Sequence, residues 1–235
     1  MSEASREVQS LLATNYYGVL ATQSKEVQGY PFGSVVPYCL DADGWPIILL
    51  SHLAQHYQNI QADPKVSLLV LASGCDDPQT AKRVTWVADA VPIATDNEAI
   101  IGRYYRFFPQ LTDYHTTLGF KFFRLLPVRA LYIAGFGKIR WYKKSELQYQ
   151  YAFDNVLECN ILQWFNAEPS YRMQYLQLLK LDEQQQSVAL VGVDQAGCCV
   201  RVNDRVYRID FANPVYSIID IQQALSCLLG SKKCG

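Results

Sequence analysis

The densest group of chemically capable side chains is the run Ser51-His-Leu-Ala-Gln-His56-Tyr-Gln-Asn59. It follows an apolar stretch over 46–51 that reads as a strand. Leu53, Tyr57 and Ile60 then recur at helical spacing, which predicts a helix over 53–62 ended by Asp63-Pro64. A hydroxyl at such a junction caps the helix, so Ser51 is the expected cap, and the N–H groups left free there make an anion site. His52 and His56, four residues apart, would share a helical face. Three uses of this pair stand side by side. They are metal ligands, although no third His, Asp or Glu lies close in sequence. They are packing or surface residues. Or His56 and its neighbours bind a phosphate. In that third case Arg83 and Thr85, which alternate onto one face of a later strand, complete the site across a sheet. A phosphate needs several donors and offsetting positive charge.

Other chemistries find little support. GxGxxG, the Walker loop and HExxH are missing, and Gly135-Phe-Gly137 is a short GxG with no helix pattern behind it. Three histidines leave few candidates for acid–base work. The seven cysteines are scattered, with no CxxC and no zinc spacing. They read as free thiols of a reducing cytoplasm, used as small buried hydrophobes. No signal peptide or membrane-length apolar run is seen. The net charge is −1, so no basic field draws the chain to nucleic acid or anionic lipid.

The elements that must position these residues are short. A helix is expected over 5–15, then strands over 16–22, 32–40 and 46–51, with Asp41-Ala-Asp-Gly44 as a hairpin turn. After the helix at 53–62 come strands over 66–72 and 83–93, a helix over 98–108, and two strands, 120–126 and 128–134, separated by Pro127. There is no regular strand–helix alternation, which argues against a doubly wound parallel sheet. Beyond the polar Tyr142-Lys-Lys-Ser145 a second organisation begins: helices over 154–166 and 169–179, strands over 188–193, 198–202 and 205–210, and a last helix over 218–229. The chain is therefore α+β, with a first domain at 1–145 and a small helix–helix–β-meander–helix domain at 150–235.

The order of these pieces is similar to a known family. Gly18-Val-Leu-Ala-Thr22, Gly29-Tyr-Pro-Phe-Gly-Ser-Val-Val-Pro37, Leu49-Leu-Ser-His-Leu-Ala-Gln-His56, Asn59 with Ala62-Asp-Pro64, Arg83-Val-Thr85 and Gly135-Phe-Gly137 resemble the FMN-binding split barrels of the pyridoxamine 5′-phosphate oxidase type. More narrowly they resemble the haem-utilisation (HugZ-type) oxygenases, in which a small α/β domain often follows the barrel. The resemblance implies an antiparallel split β-barrel with flanking helices, and FMN at the interface of a cytoplasmic homodimer. It implies that Ser34, Val35 and Val36 meet the isoalloxazine ring largely through backbone groups. Ser51, His56, Arg83 and Thr85 would hold the phosphate, and Lys138 and His52 are candidate haem contacts. The high aromatic content, 13% with sixteen tyrosines, then reads as a wide subunit interface.

The sequence departs from the family in four places. The position of His56 is often Lys or Arg. The basic residue after GFG is Lys138. The last histidine is His115, where haem-degrading relatives use one near the C-terminus as iron ligand. Trp164-Phe-Asn-Ala-Glu168-Pro169 stands where the following domain usually carries His-Met-Asn-x-Asp-His. The expected function is an FMN-dependent oxidoreductase of the haem-utilisation type, with haem as ligand or substrate and no catalytic side chain assigned. The alternative is a non-catalytic haem-binding or regulatory protein that keeps the barrel without flavin chemistry.

Overall fold

Strict alternation builds the first sheet. Along the strand Arg83–Pro92, Val84, Trp86, Ala88 and Ala90 are buried while Arg83, Thr85 and Val87 face outward, the period-two pattern of a strand with one face on a core. The structure, a computed structural model, describes residues 3–74, 77, 79–135, 138–148, 152–182, 184 and 187–230. By internal contacts the chain divides into two units, Met1–Tyr104 with Gln110–Gln150, and Tyr105–Pro109 with Tyr151–Gly235.

In chain order the first unit contains α1 (Glu3–Thr14), β1 (Tyr17–Gln23), β2 (Pro31–Leu40), β3 (Pro46–Leu50), α2 (Gln55–Ala62), β4 (Lys65–Leu71) and β5 (Arg83–Pro92). These are followed by most of α3 (Glu98–Phe107), then α4 (Tyr114–Thr117), β6 (Lys121–Ile133), β7 (Ile139–Lys143) and α5 (Lys144–Leu147). The strand order is β3-β2-β1-β4-β5-β6-β7, and β6 pairs back onto β3, so six strands close into an antiparallel barrel and β7 is added outside the ring. Closure follows from the length of β6: Lys121–Arg124 pair with β3 and Arg129–Ile133 with β7. In register across the interior lie Leu20, Leu68, Trp86, Ala130 and Tyr142, all buried. The largest side chain, Trp86, faces the small Ala130, and its indole N–H donates to the Leu125 carbonyl at 3.1 Å. Each fully buried leucine of this row contributes about 1.5–3 kcal/mol. Val8, Leu11 and Leu12 of α1 join the same core, and the buried Tyr38 hydroxyl donates to the Leu12 carbonyl at 2.9 Å.

One expectation is corrected here. Residues 120–126 and 128–134 are not two strands; β6 runs through Pro127. The β5–β6 register shifts between Val87 and Ala88, and Ala88 pairs with Pro127 while Val87 pairs with Arg129. A bulge at that point accommodates a residue with no N–H to give the ladder.

The second unit is α+β in the order the sequence predicts. Helices α6 (Asn155–Ala167) and α7 (Pro169–Leu179) precede a meander of β8 (Val188–Asp194), β9 (Gly197–Val202) and β10 (Arg205–Asp210), and α8 (Ile218–Leu228) follows. Its own core includes Ile161, Phe165, Leu176, Leu190, Val200, Ile221 and Leu225. Each helix starts on a capping side chain: Asp154 accepts from Leu157 N, Glu168 from Ser170 N, and Ser217 from Asp220 N. Cys39, Cys159, Cys198 and Cys199 are free thiols. Cys227 is disulfide-bonded, which corrects the expectation of free thiols throughout. Cys75 and Cys234 lie outside the described residues.

Candidate functional site

Two features of β2 set the site. Its C-terminal end, Tyr38–Leu40, pairs with β3, but Pro31–Pro37 pair only with β1 among the described strands. The other backbone edge of this segment is therefore open. Tyr38 N donates to Tyr16 O at 3.0 Å, and antiparallel pairs alternate between those that exchange hydrogen bonds and those that do not. Counting back from Tyr38, the backbone of Ser34 and Val36 bonds to β1, whereas Val35 turns its N–H and C=O to the open edge. The side chains divide differently. Val36 is buried, Ser34 lies on the same side, and Val35 projects outward, 73% exposed.

Helix α2 lies beside this edge. The chain leaves β3 through a turn in which Ser51 Oγ accepts from Leu53 N at 3.3 Å and Ser51 O accepts from Ala54 N at 3.1 Å. The turn consumes 51–54, so the helix opens at Gln55 with Ala54 in the cap position and no side-chain cap. Two expectations are thereby corrected. Ser51 is not the helix cap. His52 sits in the turn, so it shares no helical face with His56. The opening N–H groups of α2 have no side-chain acceptor and remain suited to an anion.

His56 Nδ1 lies 3.1 Å from Ser34 Oγ, which joins α2 to the open-edged segment of β2. His56 is half-buried, and burial pulls its pKa below the usual imidazole value. The fully buried Asn59, one turn on, locks the helix in place. Its Nδ2 donates to Thr22 Oγ1 at 2.9 Å, and its Oδ1 accepts from Lys25 N and Gln55 Nε2, both at 2.9 Å. Asn59→Ala leaves those buried groups unsatisfied, so a loss of about 1–3 kcal/mol in unfolding free energy is expected from urea denaturation.

Arg83 and Thr85 lie on a different surface. Val35, Val19, Leu69, Thr85, Leu131 and Trp141 form one register row across β2-β1-β4-β5-β6-β7 on the outer face. Thr85 is three strands from Val35, about 14 Å at the usual strand spacing. Ser34 is in register with Leu20, in the row of the interior. The structure thus brings Ser34 and His56 together, with Ser51 in the turn leading into α2, and sets Arg83 and Thr85 on the opposite side of the sheet. Arg83 Nη1 donates to the carbonyls of Gln79 and Ala81 at 3.1 and 3.3 Å. Lys138 is exposed at the start of β7, next to the row formed by Arg83, Ile133 and Ile139. Phe136 and Gly137 lie outside the described residues. His52 packs against Gly119 at the other end of β6.

The outer face around Thr85 is apolar. Tyr17, Val19, Val35, Leu71, Ile139 and Trp141 are all exposed there, and the guanidinium of Arg129 sits 5.6 Å from the Trp141 ring. Sequence reasoning missed β7 and with it Trp141; the alternation of Ile139 and Trp141 was the available signal. In the second unit the residues standing where the family has its histidine stretch are structural. Asn166 exchanges hydrogen bonds with the backbone N–H and C=O of Leu190 at 2.7 and 2.9 Å, and Glu168 caps α7. Among the described residues no group of three His, Cys, Asp or Glu is placed to hold a metal, and no helix is long and apolar enough to cross a membrane.

Comparison with known proteins agrees with this geometry. The model of the pyridoxamine 5′-phosphate oxidase family matches residues 4–116. A chloroplast heme oxygenase of Arabidopsis thaliana is 33% identical over 129 residues, covering 55% of this chain and 40% of that protein's length. A heme oxygenase of Vibrio cholerae is 30% identical over 119 residues, covering 48% of this chain and 67% of that one. A solved structure from Agrobacterium tumefaciens, of unknown function, superposes with a TM-score of 0.76 at 21% identity, covering 97% of this chain and 95% of the other.

Proposed function

Because this chain belongs to the pyridoxamine 5′-phosphate oxidase-like split-barrel family, in its haem-utilisation branch, we propose that it is a homodimeric FMN-binding oxidoreductase acting on haem or a haem-derived ligand. The observation that carries this reading is the open backbone edge at Val35 beside the uncapped start of α2. One N–H and one C=O on an open strand edge complement the imide edge of a flavin. Two helix N–H groups, the Ser51 hydroxyl and His56 complement its phosphate. Bound there, FMN would supply one- and two-electron chemistry. The chain's own part is to bind, orient and exclude water, which accords with the scarcity of candidate acid–base residues around the site.

The outer apolar row supports a dimer. An exposed sheet face of this kind is a liability on a monomer and a normal subunit interface when covered. In a two-fold dimer the same face of each copy meets the other. Arg83 and Thr85 of one subunit then lie across the interface from the β2 edge of its partner. That arrangement unites residues which a single chain sets apart.

Neutral His56 is a weaker phosphate partner than a permanent cation. We expect His56→Arg to bind FMN about tenfold more tightly at pH 8, the difference between a neutral and a charge-assisted hydrogen bond. The gap narrows as the pH falls, because phosphate bound at His56 draws a proton onto it. Flavin fluorescence quenching across pH reads this directly; a pH-independent gap contradicts the assigned contact. In the unliganded protein the sign is also fixed. The folded pKa of His56 is depressed from 6.5, so its contribution to stability is complete above that pH and is lost as pH falls through the folded value.

The second reading, a haem-binding protein without flavin, draws support from the neutral His56. A Soret band on haem addition with no retained flavin favours it. Retained flavin, released on denaturation as FMN, favours the first.

A further inference from the structure

The geometry points to Asn59 as the positioning residue of this site: bonded to β1 and to the β1–β2 loop, it holds α2 so that His56 meets Ser34. The contact itself needs no ligand; its consequence for binding rests on the flavin reading above. Helix α2 has eight residues and no side-chain cap, and a helix that short does not hold its place by itself. Its packing must fix it. Ile60 is buried, and the Tyr57 ring meets Phe123 edge-on with centroids 5.9 Å apart. Such apolar contacts are non-directional, so they give adhesion without setting how the helix is turned. Hydrogen bonds are directional. Among the described residues, the side-chain hydrogen bonds from α2 to β1 and to the β1–β2 loop are those of Asn59.

Asn59 and His56 are three residues apart, which puts them on one helical face. Their partners match this spacing. Thr22 pairs with Phe32, and Leu20 with Ser34, so buried Thr22 and Ser34 belong to successive same-side rungs of the β1–β2 ladder. One face of the helix thus meets two rungs, through Asn59 with Thr22 at 2.9 Å and His56 with Ser34 at 3.1 Å. The Thr22 hydroxyl extends the link by donating to the Phe32 carbonyl at 3.4 Å, on β2 itself. On the helix side, Asn59 Oδ1 also holds the side chain of Gln55, the first residue of α2. One buried amide therefore ties helix, loop and both strands. Being fully buried, Asn59 acts on a ligand only through His56.

Asn59→Ala strands three partners at once, so the test uses the milder Thr22→Val. That change keeps the side chain's shape and removes the acceptor for Asn59; Thr22→Ser is the conservative variant that retains it. Tyr38→Phe is the stability control, because it deletes a buried hydrogen bond to α1 rather than α2. The His56 imidazole is followed by proton NMR across pH in the full chain. The chain has three histidines, and His56→Ala identifies the resonance. Wild type, Thr22→Ser and Tyr38→Phe are expected to share one depressed His56 pKa, whereas Thr22→Val should return it toward the ordinary imidazole value as the ring leaves its half-buried place. The FMN dissociation constant should rise about tenfold in Thr22→Val, the worth of one hydrogen bond to a charged group. Adding Thr22→Val to His56→Ala should raise it no further, because the two act as one unit. A Thr22→Val protein that loses stability as Tyr38→Phe does, yet titrates His56 as wild type, overturns the assignment. Additive losses of affinity in the double variant also overturn it. If wild type binds no FMN, the flavin reading falls, and the His56 titration still decides the positioning.

Discussion

A mixed dimer pairing a Ser34→Ala/His56→Ala protomer with an Arg83→Ala protomer is expected to recover one flavin site of the two, although each variant alone binds FMN poorly. The reason is the register of the sheet. Ser34 and His56 lie on the inner side at the β2 edge, while Arg83 projects from the outer face of β5. If each site takes its β2–α2 part from one subunit and its β5 part from the other, the mixed dimer contains one site broken in both parts and one intact. If instead each site is built from a single chain, both sites of the mixed dimer remain damaged. Each homodimer should bind FMN about tenfold to a hundredfold more weakly, given about 1.5–3 kcal/mol for hydrogen bonds to a charged group. Co-expression with two affinity tags, followed by flavin titration of the doubly tagged species, separates half-site recovery from none.

Asp194→Ala is expected to destabilise the second unit strongly. Arg208 and Asp194 form a bidentate pair, with Nη1 to Oδ2 and Nη2 to Oδ1 both at 2.7 Å, and the two side chains are 5% and 6% exposed. Asp194 Oδ1 also accepts from Ala196 N at 2.8 Å, holding the β8–β9 turn. Burial alone would lower the arginine pKa, but the Asp194 carboxylate and the Cys199 sulfur together more than offset this and hold it raised. Removing Asp194 leaves a buried guanidinium with the Cys199 sulfur at 3.6 Å and, as its remaining carboxylate, the exposed Asp210 at 3.1 Å. Breaking one partner of a buried pair costs about 3–5 kcal/mol, a large part of the 5–15 kcal/mol typical of a whole domain. Replacing both partners, as Asp194→Leu with Arg208→Met, should recover most of the loss, since no buried charge is then stranded. Urea unfolding of the three proteins decides it: a double variant as unstable as the single one would place the cost elsewhere, in the turn.

The sequence was most legible where one period governs. The strict alternation of 83–92 and the apolar helix at 154–166 were readable because burial of one face sets them. Pro127 was misleading because proline usually ends a strand, and only the register shift opposite Val87 and Ala88 tolerates it here. Residue type makes Ser51 the expected cap, but the turn at 51–54 takes three further residues before helical geometry begins. The Ser34–His56 contact joins residues 22 apart through the packing of α2 on β2, and no local pattern encodes it. The opposite facing of Ser34 and Arg83 likewise depends on the pairing register of four strands. Residue types suggested a phosphate site, but the register decides which of those residues one chain can bring to it.

The most direct test of the account is to incubate the purified chain with FMN, pass it through a sizing column, and record the mass and flavin absorbance of the eluted species together. The account predicts a dimer carrying one FMN per chain, with a Val35→Glu variant eluting as a flavin-free monomer because its carboxylate enters the outer apolar row. A wild-type monomer, or a dimer that elutes colourless, would contradict it.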